Sequence, residues 1–171
     1  MKQVLLLTAM VLLTAFETIT EDNTIKQEEP IRIVELDQYW TELSRTVKEG
    51  DFEGYSAGYH EDAVIIFASG KNKSSVPISK ALAGWKQGFE DTKAGKTNAS
   101  VAFRFSQRIG DETTAHETGI FNYTTYDKSG KVTGAYPTHF EMLLVKRDGK
   151  WLGLMEYQKS TATQAEWEAL Q

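Results

Sequence analysis

The chain has no cysteine among its 171 residues. That absence removes disulfides, thiolate nucleophiles, Cys-ligated zinc and a lipidated cysteine anchor. It has three prolines, so few places where the backbone is forced out of regular structure. It also has no run of Lys and Arg. With a formal net charge of −5 it lacks the basic face that neutralises phosphates, which argues against a nucleic-acid partner. No apolar stretch reaches the roughly 18 residues that a membrane-spanning helix needs. Nucleophile elbow, P-loop and dinucleotide fingerprint are missing as well. What remains is ordinary for a soluble globular chain, 40% hydrophobic and 25% charged. Its length suits one domain plus a short targeting segment.

The targeting segment is at the N-terminus. Lys2 supplies a positive charge, and Val4 to Phe16 is apolar apart from Thr8 and Thr14. This pattern predicts a signal peptide over residues 1–20 and a periplasmic or secreted protein with no membrane association after cleavage. Ala15 is a candidate for the residue before the cut, although Leu13 is large for its position. An uncleaved anchor or a buried helix is the alternative. Residues 21–30 are acidic and polar and end at Pro30, as a linker would.

From there the periodicity is helical. Ile33, Leu36, Trp40, Leu43 and Val47 recur at steps of three and four, and Gly50 stops the pattern. Asp51 caps a second, short helix that carries Phe52, Tyr55 and Tyr59. His60-Glu61-Asp62 is expected to turn into a short strand, Ala63 to Ala68. After a loop over 69–75, Ser75 and Pro77 open a third helix with Ile78, Leu82, Trp85 and Phe89 as its buried stripe. The rest is strand-like. Val101, Phe103, Phe105, Gln107 and Ile109 alternate with polar or small residues. Thr113 to Tyr126, Val132 to Lys146 and Trp151 to about Lys159 follow, the last two joined by the hairpin signal Asp148-Gly149. A short helix carrying Trp167 is expected within residues 161–171. Helices early and hairpin-joined strands late predict an α+β fold: a cone-shaped, curved antiparallel sheet with three helices over its concave face.

The segment Gly50-Asp51-Phe52-Glu53-Gly54-Tyr55 followed by Tyr59-His60-Glu61-Asp62-Ala63-Val64 resembles the opening of SnoaL-like domains of the nuclear-transport-factor-2-like superfamily. So do Glu117-Thr118-Gly119 with Phe121 and Tyr123, and the final hairpin from Phe140 to Val145 through Arg147-Asp148-Gly149-Lys150-Trp151. The resemblance spans residues 31–160 and implies a cystatin-like roll enclosing a pocket. It implies a small-molecule-binding domain, with lyase or isomerase chemistry open; no cofactor and no metal are expected. The alternative is a non-catalytic module that dimerises through its sheet. Ketosteroid isomerase, one member class, needs a tyrosine and two acidic residues where this chain has Leu43, Phe67 and Thr138, so that chemistry with those residues is rejected.

Two carboxylates stand out. Glu117 shares its strand face with Ala115, Gly119, Phe121 and Tyr123. If that face lines a dry cavity, its pKa rises and it becomes an acid or base; Glu117→Gln would then leave folding nearly unchanged. Otherwise it is an exposed sheet residue. Glu156 is the same case on the last strand, grouped by alternation with Leu152 and Leu154, and opposite Trp151, Gly153, Met155 and Tyr157. Glu117 and Glu156 are therefore the candidate catalytic pair. Tyr59, Phe67, Trp85, Tyr123, Thr138 and Phe140 are the candidate ligand-binding residues, for a small hydrophobic or amphipathic molecule. His139 and Glu141 lie two apart and, with His116, make a weak metal candidate; polar residues at a dimer face explain them as simply. Two apolar faces on the last strand predict a homodimer.

Overall fold

The computed structural model describes residues 30–170, so the predicted signal peptide and all of the linker except Pro30 lie outside the described residues. The element order is α1 (Ile31–Glu49), α2 (Phe52–Ser56), β1 (Tyr59–Phe67), β2 (Ser74–Pro77), α3 (Ile78–Lys93), β3 (Asn98–Gly110), β4 (Thr114–Tyr126), β5 (Val132–Arg147), β6 (Lys150–Thr161) and α4 (Gln164–Ala169). One six-stranded sheet runs in the order β2-β1-β6-β5-β4-β3. Every pairing is antiparallel except β1 with β6. That parallel pair joins the earliest long strand to the latest. Only strands separated by a long connection can pair this way, and here nearly the whole domain lies between them.

α1 forms because its apolar stripe matches a helical period. Leu36, Trp40, Leu43 and Val47 are buried on the sheet side, each contributing about 1.5–3 kcal/mol of hydrophobic stabilisation. Polar clamps fix its register. Trp151 Nε1 donates to Glu35 at 2.9 Å and Lys146 Nζ to the same carboxylate at 2.6 Å. The helix stops at Gly50, whose φ of 68° is left-handed. A Cβ there would also lie 2.4 Å from the backbone N of Lys93. Both backbone freedom and the close approach of α3 therefore require glycine.

The expected third helix begins slightly later than its sequence signal. Ser75 and Pro77 belong to β2, an edge strand, and Pro77 is the N-cap of α3. His60-Glu61-Asp62 is not a turn. It is the irregular opening of β1, where the pairing with β6 skips between Tyr59 and Val64. The Asp148-Gly149 hairpin is as expected, with both residues at positive φ.

Register shifts bend the sheet, and three of them lie on β3 and β6. β3 has an extra residue at Ser106, between Phe105 paired with Gly119 and Gln107 paired with Thr118. β6 has extra residues at Leu154 and Lys159. Each adds twist and switches which side chains face inward. α1, α2 and α3 fill the concave face. α4 lies on the convex face, where Trp167 packs with Ile120 and Ala162. Arg104 stacks on the Trp167 ring at 4.3 Å and donates to its carbonyl at 2.7 Å.

Candidate functional site

The concave face divides into two regions. α1 covers one end, and beside it a cavity of about 490 Å³ remains between the sheet, α2, α3 and the Trp40, Leu43 and Val47 side of α1. Each of the two carboxylates flagged in the sequence belongs to a different region.

Glu117 is fully buried, at 0% exposure, and does not line the cavity. Its strand face is the predicted one, since Phe121 and Tyr123 further along β4 do line the cavity. Glu117, however, lies beneath α1. Trp40 Nε1 donates to Oε2 at 2.8 Å. Arg108 Nε donates at 3.0 Å to both carboxylate oxygens, and its Nη1 donates to Asp37 at 2.6 Å. Arg32 Nη1 lies 3.9 Å from Oε1. Glu117 is thus the anionic centre of a helix-to-sheet anchor rather than an unpaired carboxyl in a dry cavity. Its countercharge was hidden by the bulge at Ser106. Strict alternation puts Arg108 opposite Phe103 and Phe105; the extra residue returns it to their face, where it pairs directly with Glu117.

Glu156 does line the cavity. It is 7% exposed, and the bulge at Leu154 again decides its direction. Glu156 pairs with Met142, and Gly153 with Leu144; Met142 and Leu144 are both core residues. Glu156 therefore shares the inner face with Trp151, Gly153 and Gln158, not with Leu152 and Leu154 as simple alternation implied. Tyr59 O–H donates to Oε2 at 2.6 Å and Gln158 Nε2 donates to Oε1 at 2.8 Å. Behind Tyr59 stands Tyr55, its hydroxyl 3.1 Å away. Burial raises the Glu156 pKa above the ordinary carboxylate value, only partly offset by the two hydrogen bonds from Tyr59 and Gln158. Burial also pushes the phenols of Tyr59 and Tyr55 up, with the neighbouring Glu156 adding to both shifts.

The rest of the wall is largely apolar. Tyr59, Trp85, Tyr123, Thr138 and Phe140 line it, together with Trp40, Phe89, Phe103, Phe121 and Tyr136. Phe67 does not. It lies outside the cavity, its ring edge-on to Trp85 at 6.2 Å. Tyr123 and Tyr136 pair across β4 and β5 and remain partly open to solvent. Gly84 and Gly88 of α3 also line the cavity, and a Cβ at either would meet nothing within 4 Å. They are a signal that sequence reading passed over: two glycines one turn apart inside a helix, where glycine costs about 1 kcal/mol relative to alanine.

The histidines do not converge. His116 and Glu141 meet across β4 and β5 at 3.3 Å, but His139 pairs with Glu166 of α4 at 3.4 Å. All three strand residues project to the convex face. Among the described residues no group of three His, Cys, Asp or Glu side chains is placed to hold a metal ion.

No family model matches the chain, and no curated protein matches its sequence. Solved structures match its architecture. The chain has the nuclear-transport-factor-2-like fold. It superposes on a nuclear-transport-factor-2-like protein of unknown function from Shewanella oneidensis with a TM-score of 0.58 and 16% identity, over 74% of this chain and 98% of that one. Aln2 from a Streptomyces species gives 0.64 at 15% identity, over 77% and 91%. The beta subunit of benzoate 1,2-dioxygenase from Burkholderia mallei gives 0.62 at 13%, over 78% and 93%. A nuclear-transport-factor-2-like fold carries no single chemistry, so function has to be argued from Glu156 and the cavity around it.

Proposed function

We propose that this domain binds a small, largely apolar molecule in the concave cavity, with Glu156 as its polar anchor. One observation carries this proposal. Among the described residues Glu156 is the single acidic or basic side chain on a wall that is otherwise neutral and largely apolar. A cavity of about 490 Å³ falls within the range of small-molecule sites, which typically combine apolar walls with few placed polar groups. A core with no ligand role has no reason to keep a buried carboxylate beside open space, since burying it costs several kcal/mol.

Tyr55, Tyr59, Glu156 and Gln158 form one hydrogen-bonded row, and an acid of raised pKa in that row suits proton transfer to or from a bound molecule. Lyase or isomerase activity is proposed on that basis. Export through residues 1–20 is proposed separately, from the charge and apolar run of that segment.

The test of binding uses fluorescence. Trp40 and Trp85 line the wall, so a ligand inside the cavity should change their emission. N-phenyl-1-naphthylamine, an uncharged apolar probe, is expected to bind at micromolar concentration, and Gly88→Leu to weaken it by filling the space over α3. Absence of binding by the intact protein would refute ligand binding.

Dimerisation through the sheet has its own support. Val64, 37% exposed, lies beside half-buried Ile66, Leu143, Met155 and Tyr157 on the convex face. Such a strip is suited to meeting the same strip of a second copy, and it is compatible with a ligand on the other face.

A further inference from the structure

The two buried glutamates differ in how their charge is balanced. Glu117 has Arg108 and Arg32 beside it, so its negative charge is matched inside the fold. Glu156 has only neutral donors, the Tyr59 hydroxyl and the Gln158 amide. No Lys, Arg or His lines the cavity among the described residues. The groups that face Glu156 from the surrounding elements are Tyr39 of α1, Tyr55 of α2 and Tyr59 of β1; its cross-strand partners, Met142 of β5 and Ile65 of β1, do not titrate. Burial holds these tyrosines neutral, and a phenol carries no positive charge in either protonation state.

An ionised carboxylate with no cation beside it is destabilised in a low-dielectric site, and a cationic ligand offsets part of that penalty. The walls act in the same direction. Trp85, Phe89, Phe121, Tyr123 and Tyr136 present aromatic rings around the space, and the negative faces of such rings attract organic cations. An anionic ligand would meet the Glu156 charge and find no basic group to offset it.

We propose that the cavity takes an organic cation, a molecule with an apolar body ending in a protonated amine, whose ammonium pairs with Glu156 while the body lies among the aromatic rings. This rests on the ligand-binding proposal above and specifies its chemical class. Binding then requires Glu156 to be ionised. An amine that enters while Glu156 is protonated should drive its proton into solvent, and amine affinity should rise with pH through the Glu156 titration.

Three probes of one shape test this: 4-phenylbutylamine, 4-phenylbutanol and 4-phenylbutyrate, titrated calorimetrically into the intact protein. The amine is expected to bind about tenfold tighter than the alcohol, the margin by which a charge-assisted hydrogen bond exceeds a neutral one, and the butyrate weakest. Repeating the amine titration at mildly acidic pH in buffers of different ionisation enthalpy should show proton release. Glu156→Gln should erase the difference between amine and alcohol, and the wild-type comparison stands even if that variant folds poorly. Alcohol or butyrate binding as tightly as the amine would overturn the cation assignment and leave ligand binding intact. If none of the three binds, the assignment falls, and the result with uncharged N-phenyl-1-naphthylamine decides whether ligand binding falls with it.

Discussion

Gly84 and Gly88 provide a test in which stability and function should move in opposite directions. Both lie inside α3, where glycine costs about 0.8–1 kcal/mol relative to alanine through backbone entropy. In a tightly packed helix such a cost is explained by a neighbour that leaves no room for a Cβ. Here nothing lies within 4 Å of where either methyl group would stand, and both residues face the cavity. The Gly84→Ala/Gly88→Ala double variant should therefore be more stable than the parent by about 1.5 kcal/mol, or roughly 3–6 °C in melting temperature for a domain of this size. Gly88→Leu should keep most of that gain, because its side chain enters open space, while occupying part of the ligand volume. Thermal melts followed by circular dichroism give the first quantity, and titration with N-phenyl-1-naphthylamine the second. A double-alanine variant less stable than the parent would refute the premise that the space is empty. A stabilised Gly88→Leu variant that binds the probe as well as the parent would show that this space is not where ligands sit.

The Glu117 anchor reverses the expectation drawn from sequence. Glu117→Gln takes the buried anion from Arg32 and Arg108, leaving Arg108 only the exposed Asp37, and should cost about 3 kcal/mol in urea unfolding instead of leaving folding unchanged; a loss within experimental error would mean that the buried ion pairs contribute nothing. Glu156 should make stability depend on pH in the direction opposite to a salt-bridged carboxylate. Its folded pKa is raised, so its contribution is fully present below the unfolded value of about 4.3 and is lost as pH rises through the folded value. Wild type minus Glu156→Gln stability should fall over that interval, and a difference that is flat or rises would contradict the burial argument. If residues 1–20 are a cleaved signal, the intact mass of exported protein should lack them; a full-length cytoplasmic product would refute export. Light scattering at micromolar concentration should report a dimer, and Val64→Lys should convert it to monomer.

Local sequence was enough for the elements and their class. Helical spacing from Ile33 to Val47 placed α1, and alternation with turn residues such as Asp148-Gly149 placed the late strands, because both signals depend on a few neighbouring residues and the period of the backbone. The same local rules identified Glu117 and Glu156 as unusual carboxylates on apolar faces. They could not separate an anchor from a cavity group. Single-residue bulges at Ser106 and Leu154 reverse the phase of the strands that follow, and a bulge is decided by pairing with a partner strand, not by the strand's own pattern. Whether a residue on the concave face meets α1 or open space depends on how far that helix reaches across the sheet. That is why strict alternation turns Arg108 away from Glu117, why Phe67 is expected in a cavity it does not line, and why an all-antiparallel expectation lacks the parallel pairing of β1 with β6. Charge, period and turn chemistry are written along the chain; which charges meet is set only when distant strands come into register.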